Sequence, residues 1–356
     1  MAGIVEYVAR HSPKQSEIVV ALQKRIVDGD LRPGTEVSSL LELAQLHKAS
    51  TRTVQSAMHH LRRLGYIQSV RGVGSRVCAA PPHLCNFALA LPNVTQSFYK
   101  GLLLEAASIS KDSESDGLPR RINSFNLDMG HGLADGYVKL TADVQAHAVA
   151  GIIFAAPVSG FLDTPIFREP GIPCAALLQY PLDGIAAIRL EDFLVKALDS
   201  LVQEGRLRVG FICNGYLSAS EQLNMLWQQA DARGMKTRRR WIQAACLDTP
   251  AWAVNCTEML LCGSERPDAL VIMDDNLVPD ATAGVASAGL RVPDDLLVIA
   301  HTNFPYPTPA AVPVKRIGSD TRRVLTDSIE YILNKRQGVP TQEIISIPTI
   351  FEDELT

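Results

Sequence analysis

Residues 15–77 set short helical stripes against turn signals so closely that only a small three-helix unit closed by a hairpin accommodates them. Val19, Leu22 and Ile26 recur at helical spacing, which predicts a first helix over residues 15–28 with a single apolar side. Pro33-Gly34 marks a turn. Ser39 stands three residues before Glu42, the spacing of a capping box, and Leu40, Leu43 and Ala44 supply the inward side of a second helix. A turn over residues 47–50 leads to a third helix. Its inward stripe is Val54, Ala57, Met58, Leu61 and Leu64, and it ends at the permissive Gly65. Residues 66–70 and 75–77 read as strands joined by a glycine-containing turn, with Arg71 and Arg76 beside it.

That layout is a winged helix-turn-helix, whose third helix enters the DNA major groove. At about 100° per residue, Arg52, Ser56, His59 and Arg63 share the side of this helix opposite the apolar stripe. Charge points the same way. Residues 1–80 hold 11 Lys/Arg against 6 Asp/Glu, a net of +5, whereas the remainder holds 23 against 32, a net of −9. The whole-chain charge of −4 thus hides a basic head on an acidic body that phosphates repel. A row of Arg, Ser and His can also be nothing more than the wet face of a helix. The wing and the charge split favour DNA over that plainer account.

Over residues 14–78 the segment resembles the GntR family of winged-helix bacterial regulators. The matching positions are Leu31-Arg32-Pro33-Gly34, Leu43-Ala44, Thr53-Val54, Ala57, the run from Leu61 to Gly65, and the Gly72-x-Gly74 wing. The family places operator-contacting arginines where this chain has Leu41, Thr51 and Gln55, and only Arg52, one position along, partly compensates. The resemblance implies double-stranded operator DNA as partner. Candidate contacts are Ser39, Ser50, Thr51, Arg52, Gln55, Ser56, His59, Arg71 and Arg76, with Arg52 and Ser56 near base edges and Arg71 and Arg76 on phosphates or in the minor groove.

A chain of 356 residues exceeds one ordinary core. The expected division is a winged helix-turn-helix domain over residues 1–80 and an effector-binding body over 85–356. Ala79-Ala80-Pro81-Pro82 is the natural linker, its prolines expected to stiffen it and prevent helix just beyond the wing. Seven cysteines lie scattered with no C-x-x-C pair, which fits reduced thiols in a cytoplasmic protein and argues against a zinc site. No apolar stretch is long enough to span a bilayer, and the first fifteen residues lack the apolar core of an export signal. No P-loop, G-x-S-x-G or metal-ligand cluster appears, nor a G-x-G-x-x-G after a strand, so no enzyme and no cofactor is expected.

Beyond the linker, apolar strands alternate with helical stretches. Strands are expected at 87–91, 151–155, 173–178, 208–213, 268–273 and 296–300, and helices at 98–108, 190–204 (closed by Gly205) and 220–233 (closed by Gly234). Residues 110–117 read as a loop. Such alternation predicts α/β layers with parallel sheets covered on both faces. Ligands in these sheets sit beyond the carboxyl ends of the strands, here the loops at 92–98, 274–276 and 301–303.

This order resembles the effector domain of LacI/GalR repressors and of periplasmic sugar-binding proteins. The phrases that carry it are Val149-Ala150-Gly151-Ile152-Ile153, Gly171-Ile172-Pro173, Gly205 with Arg208-Val209-Gly210-Phe211-Ile212, and Pro267-Asp268-Ala269-Leu270 running on through Asp274-Asp275 to Gly289-Leu290-Arg291-Val292-Pro293-Asp294-Asp295. With the GntR-type head, the whole looks like the arabinose-repressor-type subgroup. The resemblance implies two Rossmann-like lobes, a homodimer, and a sugar or sugar derivative clamped between the lobes. Ser97 and Phe98 match the first effector loop, Asp274 and Asp275 the Asn-Asp pair after the buried strand, and Trp252 an aromatic that stacks on sugars. Thr302, beside Asn303, falls where an Asp is usual. The arginine expected after Ser218-Ala219-Ser220 is replaced by Leu223, and neither Leu nor Thr reproduces a bidentate contact. Asp275 is equally readable as a helix cap, Trp252 as core or interface, and Phe98 as pocket wall.

These readings converge on a ligand-responsive transcription regulator, a repressor controlled by a sugar-like molecule, in which lobe closure changes the spacing of the heads in a dimer. The alternative is a small-molecule sensor whose head, lacking the family arginines, mediates dimer or partner contacts.

Overall fold

A computed structural model describes residues 12–92, 96–114, 119–127, 135–168, 171–215 and 219–355. The head begins with α1 (Pro13–Val27), where the Ser12 side chain accepts from the Gln15 N–H and proline occupies the first turn. Helix α2 (Leu40–Leu46) carries the expected capping box, with the Ser39 N–H donating to Glu42 at 2.8 Å and the Glu42 N–H donating to Ser39 at 3.3 Å. Helix α3 (Thr51–Arg63) is capped by Ser50. It gives way at Gly65, whose φ of +81° disfavours any residue with a Cβ. The wing is an antiparallel pair, β1 (Ile67–Val70) and β2 (Gly74–Val77). Its turn contains Gly72 at φ +78°.

One core holds these pieces together. Val54, Ala57, Met58 and Leu61 of α3 pack with Ile18, Leu22 and Ile26 of α1, Leu43 of α2, and Tyr66, Ile67 and Val77 around the wing. Each fully buried aliphatic side chain contributes about 1.5–3 kcal/mol of transfer free energy, so the stripe fixes which side of α3 faces outward.

After the wing the structure departs from the sequence expectation. A one-turn helix, α4 (Pro82–Cys85), starts at the second linker proline. Proline breaks helix interiors but suits a first turn, where its missing N–H is not needed. The body then folds as strands and crossovers. In the first part these are β3 (Asn86–Leu91), α5 (Ser97–Asp112), β4 (Arg121–Asn126), α6 (Asp135–Gln145), β5 (Gly151–Phe154), α7 (Pro165–Arg168), β6 (Cys174–Leu177) and β7 (Ile185–Leu190). In the second they are α8 (Phe193–Gln203), β8 (Val209–Asn214), α9 (Ala219–Asp231), β9 (Ile242–Ala245), α10 (Trp252–Leu261), β10 (Ala269–Ile272), α11 (Val278–Ser287), β11 (Leu297–Phe304) and β12 (Lys315–Asp320). The chain closes with α12 (Thr321–Arg336), β13 (Ile344–Ile347) and β14 (Thr349–Phe351).

Two compact units result. The first comprises Met1–Val94, Leu103–Arg189 and Leu325–Ile345; the second comprises Thr95–Leu102, Leu190–Val324 and Ser346–Thr356. The first holds the head and a six-stranded sheet of order β13-β7-β6-β5-β3-β4. The second holds a six-stranded sheet of order β14-β12-β11-β10-β8-β9. Pairing is parallel from β4 through β7 and from β9 through β12, with β14 antiparallel at one edge. The central strands are buried on both faces, as continuous apolar runs such as Phe87 to Leu91 require.

Further expectations are corrected. The helix read from residue 190 begins at Phe193, capped by Asp192, because residues 185–190 form strand β7. Residues 301–303, read as a loop, lie within β11, which runs four residues past the apolar stretch that signalled it. The loops expected at 92–98 and 110–117 are corrected where they are described, because residues 97–98 open α5 and residues 110–112 end it; both loops fall partly outside the described residues, and Ser218 lies outside them.

Within the first unit the head is fastened to the sheet-bearing part by polar contacts. Tyr66 is fully buried, and its hydroxyl donates to the carbonyl of His147 at 2.7 Å. Its ring stacks on His83 with centroids 6.0 Å apart. Gln23 of α1 donates to the Ala146 carbonyl. Arg336 of α12 donates to Ala150 and Val149 carbonyls at 2.7 and 3.1 Å. Burial lowers the His83 pKa to about 4, so that ring is neutral at physiological pH.

Candidate functional site

Two surfaces collect the chemistry, one in each unit. On the head, Arg52, Gln55, Ser56, His59 and Arg63 line a groove of about 530 Å³ along the outer side of α3, together with Gln15, His60 and Arg62. The first four follow i, i+3, i+4 and i+7 spacing, so they form one ridge. Among the described residues, the side chains of Arg52, Gln55, Ser56 and His59 have no hydrogen-bond or ionic partner. Arg63 is turned toward His60 at 3.0 Å, and Arg62 reaches Ser75 of the wing at 3.3 Å, tying helix to hairpin.

The remaining head candidates are placed differently. Thr51 is exposed at the first position of α3, and Arg71 is exposed at the wing turn. Ser39 and Ser50 occupy N-caps, where their hydroxyls serve the helix ends, Ser50 also meeting Thr53 Oγ1 at 2.8 Å. Arg76 is half-buried, with a sealed Nε that lacks a partner, and it bridges across to Glu36 through the backbone. Gln15 and Arg62 were missed as groove residues. Gln15 lies 37 positions before Arg52, and Arg62 abuts the apolar stripe, so periodicity alone does not mark them.

In the second unit, strand order β9-β8-β10-β11-β12 reverses direction between β8 and β10. Crevices at such reversals, outside the carboxyl ends of the strands, are where open α/β sheets bind ligands. Asn214 ends β8 and Asp274 follows β10, and across the reversal Asn214 Nδ2 donates to Asp274 Oδ2 at 2.7 Å. Asp274 Oδ1 accepts from the Asn276 backbone and side chain at 2.9 and 2.8 Å. Asn276 Oδ1 in turn accepts from the Ser97 N–H at 2.9 Å and the Ser97 hydroxyl at 3.1 Å. The start of α5 is thereby joined to the loop after β10.

Asp275 sits one layer deeper, 2% exposed, accepting from Asn303 Nδ2 at 2.7 Å and from Asn276 at 3.1 Å. Burial pushes its carboxyl up to about 6, the neighbouring Asp274 adds to the rise, and the Asn303 bond opposes it. Thr302 and Asn303 are buried in β11, at 1% and 3% exposure. The structure thus brings Ser97, Asp274, Asp275 and Asn303 into one network and places Thr302 beside it. Phe98 is half-buried, edge-on to Tyr99 at 5.4 Å. Trp252 stands apart at the start of α10, 61% exposed. Asn214 and Asn276 are the members that sequence reading missed, although the Asp-Asp-Asn run flagged the second. Among the described residues no cluster of three or more His, Cys, Asp or Glu side chains could hold a metal ion, and all seven cysteines are free thiols.

Comparison with known proteins supplies the context. Residues 14–77 match the bacterial regulatory proteins of the gntR family. Residues 198–351 match the periplasmic binding protein-like domain. The chain thus carries a segment similar to the gntR family ahead of one similar to the periplasmic binding protein-like domain. A curated relative, the HTH-type transcriptional repressor PurR of Aliivibrio salmonicida (strain LFI1238), is 22% identical over 141 residues, or 39% of this chain. That match spans 42% of the relative's length. Among solved structures, the Escherichia coli transcriptional repressor ascG superposes with a TM-score of 0.58 at 17% identity, over 75% of this chain and 97% of the other. A LacI-family regulator from Arthrobacter sp. FB24 in complex with lactose gives the same score, identity and coverage. A putative ribose operon repressor from Burkholderia thailandensis gives 0.51 at 20% identity, over 75% and 98%. At these identities the structural likeness establishes the fold of the body.

Proposed function

We propose that this gntR-type chain is a ligand-responsive transcription regulator, its head reading double-stranded operator DNA and its body taking a sugar-like effector. The carrying observation is the outer ridge of α3. Arg52, Gln55, Ser56 and His59 present free donors and acceptors on a basic head, while every apolar face of that helix is used in the core. Arg52 suits bidentate bonding to guanine O6 and N7, and Gln55 suits adenine N6 and N7. Arg71 and Arg76, on the wing, are assigned to phosphates. Two copies of the chain would read a two-fold operator.

On the body, the polar network of Ser97, Asp274, Asn276 and Asn214 at the sheet reversal is the proposed effector contact, with Asp275 and Asn303 bracing it from below. Its amide and carboxylate groups suit the hydroxyls of a sugar or polyol, and Phe98, next to Ser97, offers an aromatic face. The regulator is expected to work in the cytoplasm, and among the described residues no helix is long and apolar enough to cross a membrane.

The test is duplex binding by the full-length protein over a salt series, with and without sugars and sugar acids. Sequence-selective binding with a steep salt slope supports the reading, and an effector that alters DNA affinity must itself bind differently in the presence of operator. Leu41 and Leu46 of α2 are each 68% exposed, which favours the second reading, a head that docks on a protein partner. Salt-insensitive or absent DNA binding would select it.

A further inference from the structure

Where the segment leaving the wing passes helix α12, the first unit contains a cavity of about 200 Å³. Leu84, Phe87 and Leu333 form its apolar wall, and Arg120, Arg336 and Gln337 its polar side. At roughly 30 Å³ of liquid per water it equals about seven waters, smaller than the ~300–1,000 Å³ of drug-sized sites.

Arg336 is the member that calls for an explanation. Its Nε and Nη2 are engaged by the Ala150 and Val149 carbonyls, and no carboxylate pairs with it among the described residues. Nη1 is left with no protein acceptor there. Desolvation is the largest influence on the group and lowers its pKa. A half-buried cation held by carbonyls alone is costly unless a counter-charge arrives. The exposed Arg120 guanidinium likewise has no partner among the described residues. Among the described residues no acidic side chain lines the cavity. Two guanidinium groups beside an apolar wall complement an anion that carries an apolar body.

We propose that this cavity binds a small organic monocarboxylate of about benzoate size, its carboxylate against Arg336 and Arg120 and its body on Leu84, Phe87 and Leu333. Planar guanidinium groups match carboxylates in geometry as well as charge. The position gives the site a regulatory meaning. Ala79 and Ala80, which also line it, belong to the connection from wing to β3, and Arg336 holds the same stretch of backbone that receives Tyr66 and Gln23. An occupant therefore bears on how firmly the head is seated. The site uses no residue of the second unit and does not depend on the reading of α3.

Isothermal titration of the full-length protein with benzoate, benzyl alcohol and acetate tests this. Benzoate should bind, raising the melting temperature by mass action, while benzyl alcohol (the body without the charge) and acetate (the charge without the body) should each bind at least tenfold more weakly. Leu84→Trp, which fills the cavity and keeps Arg336, should weaken benzoate at least tenfold, as should Arg336→Met, with circular dichroism checking that both variants fold. Failure of benzoate to bind, equal binding of benzyl alcohol, or unchanged affinity in folded Leu84→Trp would each overturn the proposal.

Discussion

The seat of the head offers the sharpest energetic test. Tyr66→Phe keeps the ring and its stack on His83 and removes one hydroxyl, which donates to His147 at 2.7 Å and lies 3.2 Å from the Ala146 carbonyl. The ring is fully buried, so packing should be unchanged. A lost hydrogen bond costs about 0.5–1.5 kcal/mol net, and about 1–3 kcal/mol where the remaining acceptor stays dry. The half-buried setting of His147 places the expected loss at about 1–2 kcal/mol. Gln23→Met removes a second donor to the same backbone. Gln23 also donates to the Tyr66 hydroxyl, so the two side chains form one coupled polar cluster at Ala146 and His147. The double variant should therefore depart from the sum of the singles by about 0.5–1 kcal/mol. Urea unfolding of the full-length protein reads the loss as a lower midpoint at unchanged m. A Tyr66→Phe loss under about 0.3 kcal/mol, or strict additivity of the pair, would refute the latch.

Other expectations are independent of that one. Arg52→Ala should cost about 1–3 kcal/mol of selective DNA binding and relax preference at one base pair, whereas Arg71→Ala should weaken all sequences alike and lower the salt slope by about 0.9; competition binding with mutated duplexes separates the two. Ser39→Ala removes the hydroxyl half of the α2 capping box and should destabilise by about 0.5–2 kcal/mol in thermal unfolding. For Asp275, the folded carboxyl is raised from 3.8 to about 6, so the folded state holds its proton more tightly than the unfolded chain. Its contribution is most favourable below pH 4 and is lost as pH rises to about 6. Stability of Asp275→Asn relative to the parent should accordingly climb by on the order of 1–3 kcal/mol between those limits and then level off; a pH-independent difference in melting temperature would contradict the assignment.

The head was legible almost to the residue because its signals are local. Ser39 with Glu42, Ser50 before α3 and Gly65 after it are capping chemistry, and the apolar stripe fixed the outward ridge. The body was readable where strands are continuous apolar runs, as at Phe87 to Leu91 or Ala269–Ile272. Strands built from polar residues escaped. Arg121–Asn126 lies at the sheet edge and is exposed at four of its six positions, and Lys315–Asp320 has only three buried residues. Residues 301–303 misled for the opposite reason. Asn303 is polar yet buried, and its place in β11 is stabilised by Asp275, twenty-eight positions away. No local pattern reports such a partner. The candidate effector network shares this property: Ser97 meets Asn276 across 179 positions.

The grip of Arg336 on the backbone at Val149 and Ala150 has a temporal side. The guanidinium lies 186 positions after the carbonyl it grasps. At about 5–20 residues per second of synthesis, that separation corresponds to roughly 10–40 s on the ribosome. The amino-terminal reader can complete its own core long before and reach residues 146–147 through Tyr66 and Gln23, yet the adjoining backbone is braced only when the last α-helix emerges. Newly made chains thus pass through an interval in which a finished reader hangs from an unfinished anchor.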